Sequence, residues 1–381
     1  MTDGVPLQVS LDVSAVPVHP GGAGQYTMAL ASGLAARPDV ALTLVARRND
    51  AARWREVRAA RLRPEVPTSR PGRLVFEQVG LPALLRSAGV AVHHGPHYTM
   101  PARAPVPCAV TIHDCTFFDH PEWHLRSKAA FFRRAIRRAA LEAGALICVS
   151  QVTAERLHAS VPVRAPVVVA PHGVDHARFS PAEPSAGADV ATLRELGVPA
   201  GRPIVAFVGT LEPRKGVAPL IAAFDVLAAA RPDPVLVLGG QPGWGMGETE
   251  RALAGARHAD RIVRTGYLPD AAVPALLRQA AVVAYPALEE GFGLPALEAL
   301  ACGAPLVTTE GTAMAELADG AALLVPPGTV TPLVEALEVA LDQGRETERR
   351  RQGLAVAAGR TWEASVAEHL RAYALARSAS L

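Results

Sequence analysis

Along this chain, short uninterrupted apolar runs alternate with longer stretches in which apolar residues recur at helical spacing. The runs Leu7–Val13, Val40–Ala46, Ala91–His94, Cys108–Ile112, Leu146–Ser150 and Val167–Ala170 read as strands. Between them Gln25–Ala31, Leu125–Gly144 and Gln151–Ala159 read as helices. The alternation restarts at Ile204–Val208 and continues through Val235–Gly239, Ile262–Val263, Ala281–Tyr285, Leu306–Thr308 and Ala321–Val325. A helix over Val217–Ala230 follows the first of these, and Glu335–Arg377 reads as helical with breaks near Gly344 and Gly359–Thr361. Strands with no in-and-out alternation are buried on both faces, as in parallel sheets covered by helices. The pattern predicts an α/β chain of two Rossmann-like, doubly wound parallel-sheet domains. The polar, proline-bearing segment Ser180–Asp189 marks the boundary, giving domains 1–185 and 186–360. The last helix, 361–381, is expected to pack back toward the first domain.

Length agrees with this division, since 381 residues exceed what one ordinary core accommodates. No apolar run is long enough to span a membrane. The start, Met1-Thr2-Asp3-Gly4, lacks the basic opening of a secretion signal, so a cytoplasmic location is expected. A net charge of +2 argues against a nucleic-acid partner. Cys108, Cys115, Cys148 and Cys302 form no C-x-x-C pair and read as reduced core residues. His93, His94, His97, His113, His120 and His124 match no zinc spacing and read as surface or loop histidines, so no metal is expected.

The candidate chemistry lies where strands turn into helices. Tyr285–Gly303 passes from a strand through Glu289-Glu290-Gly291-Phe292-Gly293 into a helix with Pro295 in its first turn and Gly303 at its end. Leu294 stands where a capping side chain is wanted and offers no acceptor, which leaves the helix end suited to an anion. Glu290 and Glu298 add carboxylates that accept hydroxyl hydrogen bonds. Upstream, Gly209-Thr210 ends a strand, and Arg214-Lys215 precedes the helix at Val217; two cations there oppose the macrodipole unless an anion lies between them. In the first half, Gly21-Gly22-Ala23-Gly24 closes a loop from Ser14 that can bring amides to a phosphate or hydroxyl. That loop is too long for the dinucleotide fingerprint, which disfavours a nicotinamide enzyme. His113-Asp114 ends a buried strand where doubly wound sheets hold ligands. Gly239–Gln241 and Gly266–Leu268 end strands bordering the same region. On the helix from Leu125, the stripe Leu125, Ala129, Phe132, Ile136 and Ala140 leaves Arg126, Arg133, Arg134, Arg137 and Arg138 outside it. That basic side is either a solvated face or a patch for anionic lipid.

In this order the motifs resemble those of retaining glycosyltransferases of family four, with the GT-B fold, and are most similar to the bacterial mannosyltransferase type. The resemblance rests on Glu290 and Glu298 in Glu-Gly-Phe-Gly-Leu-Pro-Ala-Leu-Glu, on Gly209–Gly216, on Thr111-Ile112-His113-Asp114, on Pro171–Asp175 and on Gly21–Gly24. It implies two domains facing across a cleft that closes over a nucleotide-sugar donor. Glu290, with the amides of Gly291, Phe292 and Gly293, would hold donor-sugar hydroxyls, and Glu298 the ribose. Arg214 and Lys215 would neutralise the diphosphate, with Gly22, Gly209, Thr210 and Leu294 completing the donor set. His113 would contact the sugar near its reacting carbon, while Gly21, Gly22, Gly24 and Asp114 face the acceptor. It also implies metal-independent transfer with no cofactor, GDP-mannose as donor, and a glycolipid, polysaccharide or small-molecule acceptor met at the inner face of the cell membrane. Thr210 stands where many members have arginine, and His172 where asparagine is usual. A sugar-nucleotide epimerase, a phosphorylase and an inactive nucleotide-sugar-binding protein stay open as alternatives.

Overall fold

The computed structural model describes residues 5–182, 187–344 and 348–379. The chain forms two compact units, residues 1–173 with 362–381, and residues 174–361. Of the polar segment expected to divide the domains, residues 183–186 lie outside the described residues.

In the first unit, β1 (Leu7–Asp12), β2 (Val40–Arg47), β3 (Arg61–Val66), β4 (Val92–Gly95), β5 (Cys108–Ile112), β6 (Ala145–Cys148) and β7 (Val167–Val169) form a parallel sheet in the order β3-β2-β1-β4-β5-β6-β7. Its helices are α1 (Gly22–Ala35), α2 (Ala51–Arg55), α3 (Arg70–Ala88), α4 (Thr116–Asp119), α5 (Arg126–Glu142) and α6 (Gln151–Ser160), together with the C-terminal helix Trp362–Ser378. That last helix lies close against α1 because Gly33 carries no side chain; a Cβ there would come within 2.7 Å of Val366 Cγ2. Val9, Leu11, Tyr26, Leu30, Val366 and Tyr373 share one core.

The second unit holds α7 (Ala188–Glu195), β8 (Ile204–Val208), α8 (Val217–Ala230), β9 (Val235–Gly239), α9 (Gly247–Gly255), β10 (Ile262–Gly266), α10 (Ala272–Gln279), β11 (Val282–Tyr285), α11 (Leu294–Ala301), β12 (Leu306–Thr309), α12 (Ala313–Ala318), β13 (Ala322–Val325), α13 (Thr331–Gln343) and α14 (Glu348–Ala358). The C-terminal helix of the first unit is α15. The sheet of the second unit runs β10-β9-β8-β11-β12-β13, again parallel. Successive strands move one way from β8 and the other way from β11, so the switch point where such sheets hold ligands falls between these two. A bidentate, buried pair joins α7 to α10: Arg278 Nε donates to Asp189 Oδ2 at 2.6 Å and Nη2 to Oδ1 at 2.7 Å.

The structure departs from the sequence reading at three points. First, β3 and α3 carry no simple pattern. β3 is an edge strand of mixed polarity, where Pro64 needs no ladder donor, and α3 contains Gly72, Gly80 and an internal Pro82. Second, α1 begins at Gly22 rather than Gln25, so the supposed loop glycines form its first turn. Gly24 is there for space, since a Cβ would lie 2.7 Å from Pro20 Cβ. Third, His93 and His94 are buried strand residues rather than surface ones. Their rings are satisfied inside: His93 Nδ1 meets Ser10 Oγ at 3.2 Å, and His94 bonds Tyr373 Oη at 2.8 Å and Thr111 Oγ1 at 2.7 Å. The four cysteines are free and buried, as expected.

Candidate donor site

β8 ends at Val208, and Gly209 follows at φ +150 with its N–H on the Gly239 carbonyl at 2.9 Å. The loop then enters a short 3-10 turn, Pro213–Lys215, closed by Gly216 in the left-handed region at φ +67. A Cβ at Gly216 would meet the Pro286 carbonyl oxygen at 2.0 Å, so only glycine lets this loop lie against the one leaving β11. Leu288 N–H donates to the Arg214 carbonyl at 2.8 Å and fixes the two loops together. Below them, Thr308 Oγ1 donates to the Tyr285 carbonyl at 2.9 Å and Thr309 Oγ1 to that of Ala287 at 2.6 Å.

This framework brings Arg214, Lys215 and Glu290 into direct contact. Arg214 Nη1 donates to Glu290 Oε2 at 3.0 Å, and Lys215 Nζ donates to the same oxygen. Lys215 also donates to Tyr285 Oη at 2.7 Å, while Arg214 Nε reaches Glu212 Oε2 at 2.9 Å. The cations that precede α8 thus sit in the turn before it, as expected, and already share carboxylates. Burial, then the neighbouring Arg214, pushes the Lys215 ammonium below its ordinary pKa, against the pull of Glu290. Burial alone would raise Glu290, but Lys215 and Arg214 more than offset it and hold the carboxyl below its usual range.

α11 starts after Gly293, at φ +92, where a Cβ would lie 2.5 Å from Met314 Cγ; no side chain caps the helix. Leu294 opens the helix, and Glu298 sits one turn further on, its carboxyl raised to about 7 by burial, with Arg178 pulling the other way. Thr210 is exposed at the end of β8.

In the first unit, His113 Nε2 lies 2.8 Å from the Pro96 carbonyl. A carbonyl only accepts, so Nε2 carries the proton and Nδ1 is left as an acceptor. Burial lowers the His113 pKa, which keeps the ring neutral. Tyr26, from the first turns of α1, meets it edge-on at 5.2 Å between centroids and lies 4.7 Å from His172. Asp114 is engaged locally, accepting from Thr116 N–H at 3.1 Å and Oγ1 at 2.8 Å. Gly21 is the N-cap of α1, and Gly22 and Gly24 lie in its first turn. Residues that sequence reasoning passed over are Glu212, quoted only as part of a motif, and Tyr26. The one available signal was Glu212 two places before Arg214 in the same strand-to-helix loop.

Comparison with known proteins decides the family. A model described as Glycosyltransferase Family 4 matches residues 20–178, and one described as Glycosyl transferases group 1 matches residues 191–354. The chain belongs to glycosyltransferase family four. The transferase is 28% identical over 287 residues, 74% of each chain, to O-antigen chain mannosyltransferase B of Escherichia coli. It is 36% identical over 233 residues to the D-inositol 3-phosphate glycosyltransferase of Kineococcus radiotolerans, covering 55% of this chain and 52% of that one. Among solved structures, Anabaena HepE in complex with UDP-glucose superposes with a TM-score of 0.74 at 22% identity, covering 96% of this chain and 99% of the other. The two parallel-sheet units are those of the GT-B fold. Among the described residues no helix of the transferase is long and apolar enough to cross a membrane.

Proposed function

We propose that this transferase moves a hexose, mannose from GDP-mannose, to a glycolipid or polysaccharide acceptor, retaining the anomeric configuration and without a metal. The contact of Glu290 with both Arg214 and Lys215 carries the reading. A sugar leaving a nucleoside diphosphate builds negative charge on the phosphate and positive charge on the ring. Two cations fixed by paired loops offset the first, and such preorganised groups are worth a few kcal/mol each. They supply charge that a divalent ion supplies in other transferases. Glu290, once the diphosphate shares those cations, is placed to take sugar hydroxyls, and Glu298 on the adjoining helix suits the ribose. His113, as a neutral acceptor at Nδ1, suits a sugar hydroxyl rather than proton donation to a leaving group. No side chain is assigned as a covalent nucleophile, because the two glutamates differ in role and do not form an acid–nucleophile pair. Mannose is supported by the motif resemblance and by the Escherichia coli relative. The exposed side of α5, with Leu125, Arg126, Lys128, Arg134 and Arg137, is the surface that would meet an anionic leaflet.

The test is a thermal-shift screen against a panel of nucleotide sugars, followed by transfer with the strongest binder. GDP-mannose should stabilise the chain most, and Lys215→Ala should remove that shift and the turnover while circular dichroism stays unchanged. Near-normal turnover in Lys215→Ala would remove the assignment.

A further inference from the structure

A second group of cations lies in the first unit, on residues that the donor set does not use. The register pairs Asp12 with Val45 and Arg47 with Val66, so the ends of β1, β2 and β3 lie side by side. The chain leaves Val66, turns through Ser69, whose Oγ caps Gly72 N–H at 3.2 Å, and enters α3 with Arg70 and Arg73 in its opening turns. Gly72 pins that turn, since a Cβ there would lie 2.9 Å from Pro67 Cβ. The first turn of this helix holds no acidic residue. Arg47, Arg70 and Arg73 therefore gather at a helix N-terminus, where positive charge is disfavoured.

Protein carboxylates balance them only in part. Arg47 Nε donates to the Ser14 carbonyl at 2.5 Å, and among the described residues Arg47 and Arg70 have no ion-pair partner. Arg73 comes no nearer than 3.8 Å to Glu77. Glu77 accepts instead from Thr99 Oγ1 at 2.8 Å, and burial, with Asp12 adding to it, raises its pKa toward the neutral form. Asp12 accepts from Ser14 N–H at 2.9 Å, and Asp50 from Trp54 Nε1 at 2.9 Å with Arg53 at 3.4 Å. Burial, then the nearby Arg73, depresses the Arg47 pKa, with Asp50 and Asp12 pulling the other way. A second, independent observation falls at the same strand end: Ser14 is 2% exposed, and its Oγ has no hydrogen-bond partner. A buried hydroxyl left in this way calls for a partner that the protein itself does not supply.

We infer that Arg47, Arg70 and Arg73, with Ser14 beside them, form an anion site that takes the phosphate or pyrophosphate group of a phosphorylated acceptor. The acceptor role rests on the proposed transferase reading; the anion site does not. Guanidinium groups suit this ligand because each can give two parallel hydrogen bonds to phosphate oxygens. The donor's own diphosphate is served by Arg214 and Lys215, so this site is left for the other substrate.

Inorganic pyrophosphate titrated calorimetrically into the full chain tests it, with Lys215→Ala used to disable the donor clamp. The Lys215→Ala chain should still bind one pyrophosphate, more weakly as salt rises. Adding Arg70→Ala and Arg73→Ala should weaken that binding about a hundredfold, roughly tenfold per lost contact. Unchanged affinity in the arginine variants, or no pyrophosphate binding once Lys215 is gone, overturns the site. If the combined variant loses its circular dichroism, Arg70→Ala alone, at an exposed position, should still weaken binding about tenfold, and unchanged affinity there is equally decisive. Displacement of pyrophosphate by a hexose phosphate identifies a soluble acceptor, and displacement by a polyprenyl diphosphate in detergent a lipid-linked one; both support the proposal. Binding of phosphatidylglycerol vesicles through the same arginines without pyrophosphate binding would make it a membrane contact and overturn it. The nucleotide-sugar thermal shift depends on Lys215 and not on these arginines, so failure here leaves the donor reading standing.

Discussion

Glu290→Gln should tighten the binding of a bare nucleoside diphosphate while abolishing transfer. In the structure the Glu290 carboxylate occupies both clamp cations, with Arg214 at 3.0 Å and Lys215 in direct contact. A diphosphate that takes those cations must displace it. Hydrogen bonds involving charged groups are worth about 1.5–3 kcal/mol each, but the displaced carboxylate recovers much of that from water. A net penalty of about 1.4 kcal/mol corresponds to tenfold in affinity, which the glutamine variant should gain for UDP and GDP. The same change leaves Lys215, whose side chain is 8% exposed, without its anion. Removing one partner of a buried pair costs about 3–5 kcal/mol, and the retained amide acceptor places this case at the low end. For a unit of this size that is a fall in melting temperature of about 6–12 °C, partly restored by the diphosphate. Turnover should fall at least about a hundredfold, because the sugar hydroxyls lose a charged acceptor. Calorimetry with UDP and GDP, melting curves with and without them, and transfer assays read all three effects. Equal or weaker diphosphate binding in the variant would show that the ion pair does not compete with the donor, and the reasoning would fail.

Other consequences are testable with the same protein. Glu298, raised to about 7 by burial, is better at accepting ribose hydroxyl bonds when ionised, so donor affinity should rise as pH climbs through 7. Glu298→Gln should flatten that rise between pH 6 and 8, and a profile identical to wild type would exclude the role. Burial holds His93 and His369 at about 4 rather than 6.5. These depressed histidines leave stability complete above 6.5 and withdraw about 1.4 kcal/mol per pH unit each as pH falls from there toward 4. Urea titrations should therefore show steep acid weakening from pH 6.5 to 5, and a flat stability there would contradict it. Replacing Arg126, Lys128, Arg134 and Arg137 by glutamine should reduce co-sedimentation with anionic vesicles about tenfold or more, since each basic residue near such a surface is worth about 1 kcal/mol. No change would make the basic side of α5 a solvated face.

The sequence made the two parallel sheets legible because their strands are short apolar runs buried on both faces. It concealed β3 and α3 for the opposite reason. An edge strand tolerates Arg61, Arg63, Pro64 and Glu65, and a helix packed on the sheet through Leu81, Leu84 and Leu85 survives an internal Pro82. Both depend on tertiary support that no local window contains. The histidines misled similarly. A polar pair in β4 resembles a strand end, whereas Tyr373, 279 positions away, satisfies His94.

For the donor site, the sequence supplied the residues but not their pairing, and the reason is electrostatic. Lys215 stands 75 positions before Glu290, and only the switch between β8 and β11 brings them together. Once it does, a lysine so deeply buried cannot stand unpaired, so the fold must give it an anion of its own, and any diphosphate must compete with that anion. Arg70 is exposed to water, which screens its charge at small cost, so no internal carboxylate is required there. The degree of burial thus separates Lys215 from Arg70, two cations that look alike in one dimension. A buried clamp is internally paired and gains selectivity from the exchange. Arg70, open to solvent, has no ion-pair partner among the described residues, and phosphate held there should depend more steeply on salt than at Lys215.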